Sequence, residues 1–233
     1  MTAFSVFFFV LFINLGIWQI HRAAWKVQLL KQQAERRAQP PRPLSEVPRD
    51  PVKANHVPVR LKGEYDPSRV FLLDNRVLNG RVGFEVLVPF DDTSSDRMVL
   101  VNRGFVPMGR TRQDIPVIPP MTPDTDTATG SVYVAATDDE KPESHTTPLG
   151  PGVTIVEQAS PRLIGDLMDK PFYSHVVRLL KSDPNALPRY WPVTMMMPSR
   201  HRAYAVQWFL MAVAVVGMWT AFSFKRNPPA ESP

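Results

Sequence analysis

Two uncharged apolar runs bracket the chain. Ala3 to Ile20, AFSVFFFVLFINLGIWQI, holds no charge over eighteen residues, close to the roughly 20 apolar residues that cross a bilayer core. No basic segment precedes it and no small-residue cleavage pattern follows. It closes instead on Trp18, Arg22, Trp25 and Lys26, which predicts a retained membrane helix rather than a cleaved signal. Tyr204 to Phe224, YAVQWFLMAVAVVGMWTAFSF, is also uncharged and ends at Lys225, Arg226 and a Pro-rich tail. That pattern predicts a second span.

Between the runs the pattern changes twice. Gln28 to Arg49 reads as a short amphipathic or helical neck running into a Pro-broken linker, QPPRPLSEVPRDP. Val57 to Tyr65, Val70 to Val77, Arg81 to Phe90 and Met98 to Val106 then read as strands. Asn79-Gly80 lies between the second and third, and both residues tolerate the positive φ of a type I′ hairpin turn. The domain is therefore expected to open as an antiparallel meander. Ser131 to Ala136 is a further strand, and Asp138 to Gly152 reads as an exposed polar loop. Pro161 to Lys170 reads as one short helix with Ser160 as its cap and Pro161 at its first position. Val176 to Lys181 and Val193 to Met197 read as closing strands. The fold class expected is two transmembrane helices flanking a mainly antiparallel β (β-rich α+β) extramembrane domain. Its parts are a first helix over 1–21, neck and linker over 22–56, the β-rich domain over 57–199, the second helix with flanks over 200–226, and a disordered tail over 227–233.

Composition narrows the chemistry. The chain has 233 residues, 27 Lys plus Arg against 22 Asp plus Glu, and no cysteine. It therefore has no disulfide, thiolate metal site or cysteine nucleophile. Proline is 25 and glycine only 11, against average usage of about 5% and 7%, which favours rigid turns and strand ends. Asp66, Asp74 and Glu85 form no identifiable carboxylate pair, and nucleophile elbow, metalloprotease helix and phosphate loop are all missing. The expectation is a protein that is not an enzyme. The net charge of +5 comes largely from residues flanking the spans, so no nucleic-acid partner is expected.

The candidate residues gather near the spans. In a helix extended back to it, His201 shares a face with Ala205, Trp208 and Ala212. Its imidazole suits haem iron, and equally suits a headgroup-level side chain beside Arg200 and Arg202. His21 falls on a face with Asn14, Trp18 and Trp25, and reads more simply as interfacial. Asn14, Gln19 and Gln207 carry amides that are costly against lipid, so they are expected to bond between helices or toward a partner. Met195, Met196 and Met197 suit Cu(I) by softness, but adjacent methionines more often fill a core or a greasy interface. In Asn75-Arg76 and Asn102-Arg103-Gly104 the arginines are either organisers of backbone carbonyls or bidentate partners for a propionate.

Several of these blocks together resemble one family. Leu15-Gly16-Ile17-Trp18-Gln19 with Arg22 and Trp25-Lys26 comes first. Leu73-Asp74-Asn75-Arg76 with Gly80, Gly83-Phe84 and Pro89-Phe90 follows, then Val99-Leu100-Val101-Asn102-Arg103-Gly104-Phe105-Val106-Pro107. Trp191-Pro192, Arg200-His201, Tyr204-Ala205 and Gln207-Trp208-Phe209 complete the set. In this order they resemble the surfeit-locus family of cytochrome c oxidase assembly proteins, most closely its bacterial members. Phe105 stands where the pattern has tryptophan, and Asp138 to Pro161 matches nothing in it.

The resemblance implies a multi-pass protein of the bacterial inner membrane, both termini cytoplasmic and the central domain periplasmic. It would assist haem a insertion into subunit I of a haem–copper oxidase. Arg22, Lys26, Lys31, Arg36 and Arg37 after the first span argue for a cytoplasmic domain instead. The positive-inside count is weakest for translocated loops beyond about 60 residues, and the resemblance takes precedence. It further implies His201, Tyr204 and Trp208 as haem a contacts, with His201 the metal ligand and haem a bound transiently, while copper is not expected. The implied partners are subunit I, haem a synthase and the lipid bilayer. The competing readings are a periplasmic copper carrier and a membrane-tethered enzyme.

Overall fold

The structure, a computed structural model, describes residues 2–122, 126–135, 145–191 and 197–224. Its helices are α1 (Thr2–Arg37), α2 (Pro51–Ala54), α3 (Pro161–Met168) and α4 (Pro198–Ser223). Its strands are β1 (Arg42–Pro43), β2 (Pro58–Tyr65), β3 (Val70–Leu78), β4 (Arg81–Asp92), β5 (Arg97–Pro107), β6 (Thr127–Tyr133), β7 (Thr146–Gly150), β8 (Val153–Val156) and β9 (Val176–Leu179). The chain divides into two compact units, Met1–Gln33 with Pro192–Pro233, and Ala34–Trp191.

The first unit is built on α1 and α4. Both are long and apolar enough to cross a membrane, and only 6% and 11% of their most apolar windows is buried. A core helix of a water-soluble protein would bury its apolar side chains, so these helices fit a membrane-anchored protein. The neck is not a separate element. No Gly or Pro interrupts the chain from Ile17 to Gln39, so α1 runs on past the apolar segment for 36 residues in all, about 54 Å. It stops just before Pro40-Pro41, and Arg36 and Arg37 in its last turn favourably oppose the helix dipole. Pro198 sits at the start of α4, so His201 lies inside the helix as its spacing predicts.

The second unit is a single sheet, ordered β1-β2-β6-β9-β5-β4-β3-β8-β7. The pairs β1–β2, β3–β8 and β5–β9 are parallel and the others antiparallel. An additional β2–β4 pairing closes β2, β6, β9, β5 and β4 into a ring, with β3, β8 and β7 as an extension. The handover takes one step along β2: Lys62 pairs with Thr127 of β6, and Gly63 with Asp92 of β4. Val59, Leu61, Phe90, Val101, Val132 and Val177 belong to one buried cluster. Phe71, Leu87 and Leu100 pack with Ile164 of α3 in a second, and Leu72, Phe84, Val86 and Leu187 form a third. Central strands covered on both faces explain why β4 is buried from Gly83 to Phe90 without alternation.

Several expectations hold in detail. Leu78 pairs with Arg81 around Asn79 (φ 50) and Gly80 (φ 77), the predicted two-residue turn. In α3 the Ser160 hydroxyl accepts from the N–H of Leu163, and Pro161 takes the first position. Two expectations need correction. The meander begins at β3, because β2 pairs with β6 and β4 rather than with its sequence neighbour. The loop expected over Asp138 to Gly152 ends in a strand: Thr146–Gly150 pairs antiparallel with Val153–Val156, a run rich in branched residues. Residues 136–144 lie outside the described residues, as do the tail from 225 on and all but Met197 of the closing strand expected at Val193 to Met197.

His56, where the chain enters β2, has φ 67, and its N–H donates to the Val132 carbonyl at 2.8 Å. Burial, then the positive charges of Arg37, Arg178 and Arg36, lower its pKa from 6.5 to about 4. Between those values the unfolded chain binds the proton that the folded chain refuses, so stability is lost as pH falls through that window. The thermal midpoint of the full chain in detergent is expected to drop between pH 7 and pH 4.5, and His56→Gln should flatten the drop. An identical slope in the variant would remove His56 as its cause.

Candidate functional site

Small residues on α1 and α4 let the two helices meet. Gly16 and Ala23 are the buried positions of α1; His201, Ala205 and Ala212 are those of α4. A Cβ at Gly16 would collide with the Phe209 ring, so glycine permits this close approach. Phe12 stacks on Trp208 with ring centroids 5.7 Å apart. Nδ1 of His201, 7% exposed, lies 2.8 Å from Oε1 of Gln19. When the imidazole N–H donates to that amide oxygen, Nε2 keeps the lone pair.

The sequence-predicted residues divide here. His201 and Trp208 face α1 together with Ala205 and Ala212, whereas Tyr204 is 46% exposed on another side of α4. His21 is exposed with Asn14, Trp18 and Trp25, on the side of α1 away from Gly16 and Gln19. Gln19 makes the interhelical bond expected of it, but the Asn14 amide donates to Val10 O within its own helix at 2.7 Å. Met195 and Met196 lie outside the described residues, and Met197 is exposed. Among the described residues no group of three or more His, Cys, Asp or Glu could hold a metal ion.

In the central unit both Asn-Arg motifs sit on β-bulges. Register shifts between Leu73 and Arg76 of β3, beside Asn75 at φ 57. It shifts again on β5: Leu87 faces Asn102 and Val86 faces Gly104, so Arg103 is the extra residue. Bulges re-aim side chains, commonly next to functional sites. Gly104 adopts φ 121 with the Leu187 and Pro188 carbonyls 2.7 and 2.8 Å from where its Cβ would be, a place only glycine fills without strain. Arg103 is 2% exposed and donates to the carbonyls of Asn185 (3.0 Å), Pro119 (3.1 Å) and Pro120 (3.3 Å). It is thus a carbonyl organiser, one of its two sequence readings.

Around the bulges a polar row crosses the sheet that the sequence reading did not assemble. Arg76 is on β3, Glu85 on β4, Asn102 on β5, Arg178 on β9 and Tyr133 on β6. Glu85, 8% exposed, accepts from Asn102 Nδ2 at 2.6 Å and from Trp191 Nε1 at 2.8 Å. The Arg178 guanidinium stands 3.3 Å from the Tyr133 ring centroid and 4.9 Å from that of Trp191. Burial pulls the Arg178 pKa below its ordinary value, opposed by Tyr133 and Glu85 and reinforced by Arg76. The signal was present as a lone Glu in FEVLVPF and a lone Arg in VVRLL. Strand pairing, unlike helical spacing, is what brings them together.

Surfeit locus protein 1 of Gallus gallus is 33% identical over 108 residues, 40% of this chain and 35% of that protein. Those of Xenopus tropicalis and Homo sapiens are each 30% identical over 109 residues, 40% of this chain and 36% of theirs. The matched stretch spans about a third of the length of these relatives. A family model described as the SURF1 family matches residues 6–213, from the first apolar helix through the central sheet into the second. The chain belongs to the SURF1 family.

Proposed function

We propose that this protein is a membrane-anchored, non-enzymatic assembly factor for haem–copper cytochrome c oxidase, assisting haem a insertion into subunit I. The observation that carries the reading is the family match over residues 6–213, which takes in both apolar helices and the sheet between them. In this reading the central unit is periplasmic, both termini are cytoplasmic, and subunit I and haem a synthase are the partners.

Haem a is cargo here, and His201 is the residue proposed to meet it. Its donor chemistry fits: with Nδ1 held by the Gln19 amide, Nε2 is the nitrogen left for a metal and the ring orientation is already fixed. The ring is buried between α1 and α4, so cargo reaches Nε2 only as the helices part at that end. Gln19 is the positioning residue and Trp208 an aromatic wall.

The test uses cells that make haem a. Deleting the protein should leave haem a synthesis intact and reduce assembled oxidase. Haem co-purified per protein should fall several-fold in His201→Ala, with membrane insertion unchanged, and should hold in His21→Ala, which alters an exposed side chain. Equal loading and an identical spectrum in all three proteins would remove His201 as the ligand.

A further inference from the structure

The polar row holds more positive charge than the chain itself answers. Arg76 and Arg178 each bury an Nε with no hydrogen-bond partner, and neither joins an ion pair among the described residues. Glu85 is the acid that acts on Arg178, but its two oxygens accept from the neutral Asn102 and Trp191. Arg189 lies 5.0 Å from the Trp191 ring. The acid facing Arg189, Asp183, accepts from the backbone N–H groups of Thr129 and Asn185. Arg178 and Arg189 therefore each face a carboxylate already engaged with uncharged donors, and Arg76 adds a further positive charge beside Arg178. Half-buried positive charge of this kind favours an added anion.

The composition of the patch indicates what kind of anion. Trp, Tyr and Arg are the side chains that dominate binding energy where proteins meet, and here they are Tyr133 and Trp191 beside Arg76, Arg178 and Arg189. A guanidinium lying on an aromatic ring loses little freedom on binding, and its planar fork matches a carboxylate in two parallel hydrogen bonds.

We propose that this row is a docking surface for an acidic segment of a partner protein, with one carboxylate side chain received by Arg178 and Arg76 against the Trp191 ring. The proposal holds whatever complex the protein serves and makes no use of haem.

The test is fluorescence anisotropy on the full chain in neutral detergent at low salt. The probe is a capped, rhodamine-labelled hexaglutamate peptide, with hexaglutamine of the same design as control. The glutamate peptide should bind and the glutamine peptide should not. Arg178→Gln should weaken binding at least tenfold and Arg76→Gln several-fold. Arg162→Gln, which removes an exposed charge on α3, should leave it unchanged. If Arg178→Gln loses its near-ultraviolet dichroism, Arg76→Gln and Arg189→Gln carry the same comparison. Equal weakening by Arg162→Gln, or binding of the neutral peptide, would reduce the effect to diffuse charge and overturn the proposal. So would displacement of the peptide by phosphatidylglycerol micelles in an Arg178-dependent manner, which would assign the row to lipid headgroups.

Discussion

Arg103→Met is expected to destabilise the central unit by roughly 3 kcal/mol, because it removes the donor that three carbonyls share. Methionine fills much the same volume but donates nothing to the Asn185, Pro119 and Pro120 carbonyls. A buried acceptor left unpaired costs about 1–3 kcal/mol, a large share of the 5–15 kcal/mol that holds a typical domain. At this chain length the thermal midpoint should fall by about 6–12 °C. Arg103→Lys keeps the charge, but its single ammonium cannot span three carbonyls held by three different guanidinium nitrogens, so it should fall in between. Thermal unfolding of the three proteins in detergent is the measurement. A methionine variant within a degree or two of wild type would show that the carbonyls find water instead.

The second large effect is expected at Gly16→Leu. The Phe209 ring occupies the space a side chain would need, and interiors do not yield smoothly to added volume. The helices must separate, which breaks the Gln19 to His201 bond and the Phe12 to Trp208 stack together. The absence of native cysteine makes this directly readable. With Cys at positions 12 and 208, a short bifunctional thiol reagent should link the two helices within one chain efficiently when residue 16 is glycine, and more than tenfold less when it is leucine. Equal yields would mean that the seam tolerates the side chain by rotating Phe209 away.

Much of this architecture is legible in residue order. The two apolar helices, the Asn79-Gly80 turn and the Ser160-Pro161 helix start are local, and each rests on a few neighbouring side chains whose chemistry leaves little choice. The face shared by His201, Ala205, Trp208 and Ala212 follows from helical spacing alone. What the residues did not disclose is non-local. Nothing in VRLKGEY says that β2 should skip β3 and bridge β6 to β4, since its β6 partners lie as far along the chain as Pro58 from Ser131. Glu85, Asn102 and Arg178 come together for the same reason, through ladder register across separate strands, and Trp191 reaches them from the loop after β9. The neck is helical, one of its two sequence readings, and continuous with the span because α1 outlasts its apolar stretch. Hydropathy marks where a helix enters lipid, whereas proline marks where it ends.

The closed ring also sets an order of events during synthesis. In it β9 stands between β5 and β6, yet among the described strands it is the last to be made, ending at Leu179. Until then β5 and β6 each keep an unpaired edge, the state in which sheet proteins pair wrongly. The second apolar helix begins at Pro198, only nineteen residues further on. Completion of the sheet and arrival of the second anchor therefore fall almost together, and a chain stalled before residue 179 would be tethered by one helix with its edges open to proteases and chaperones.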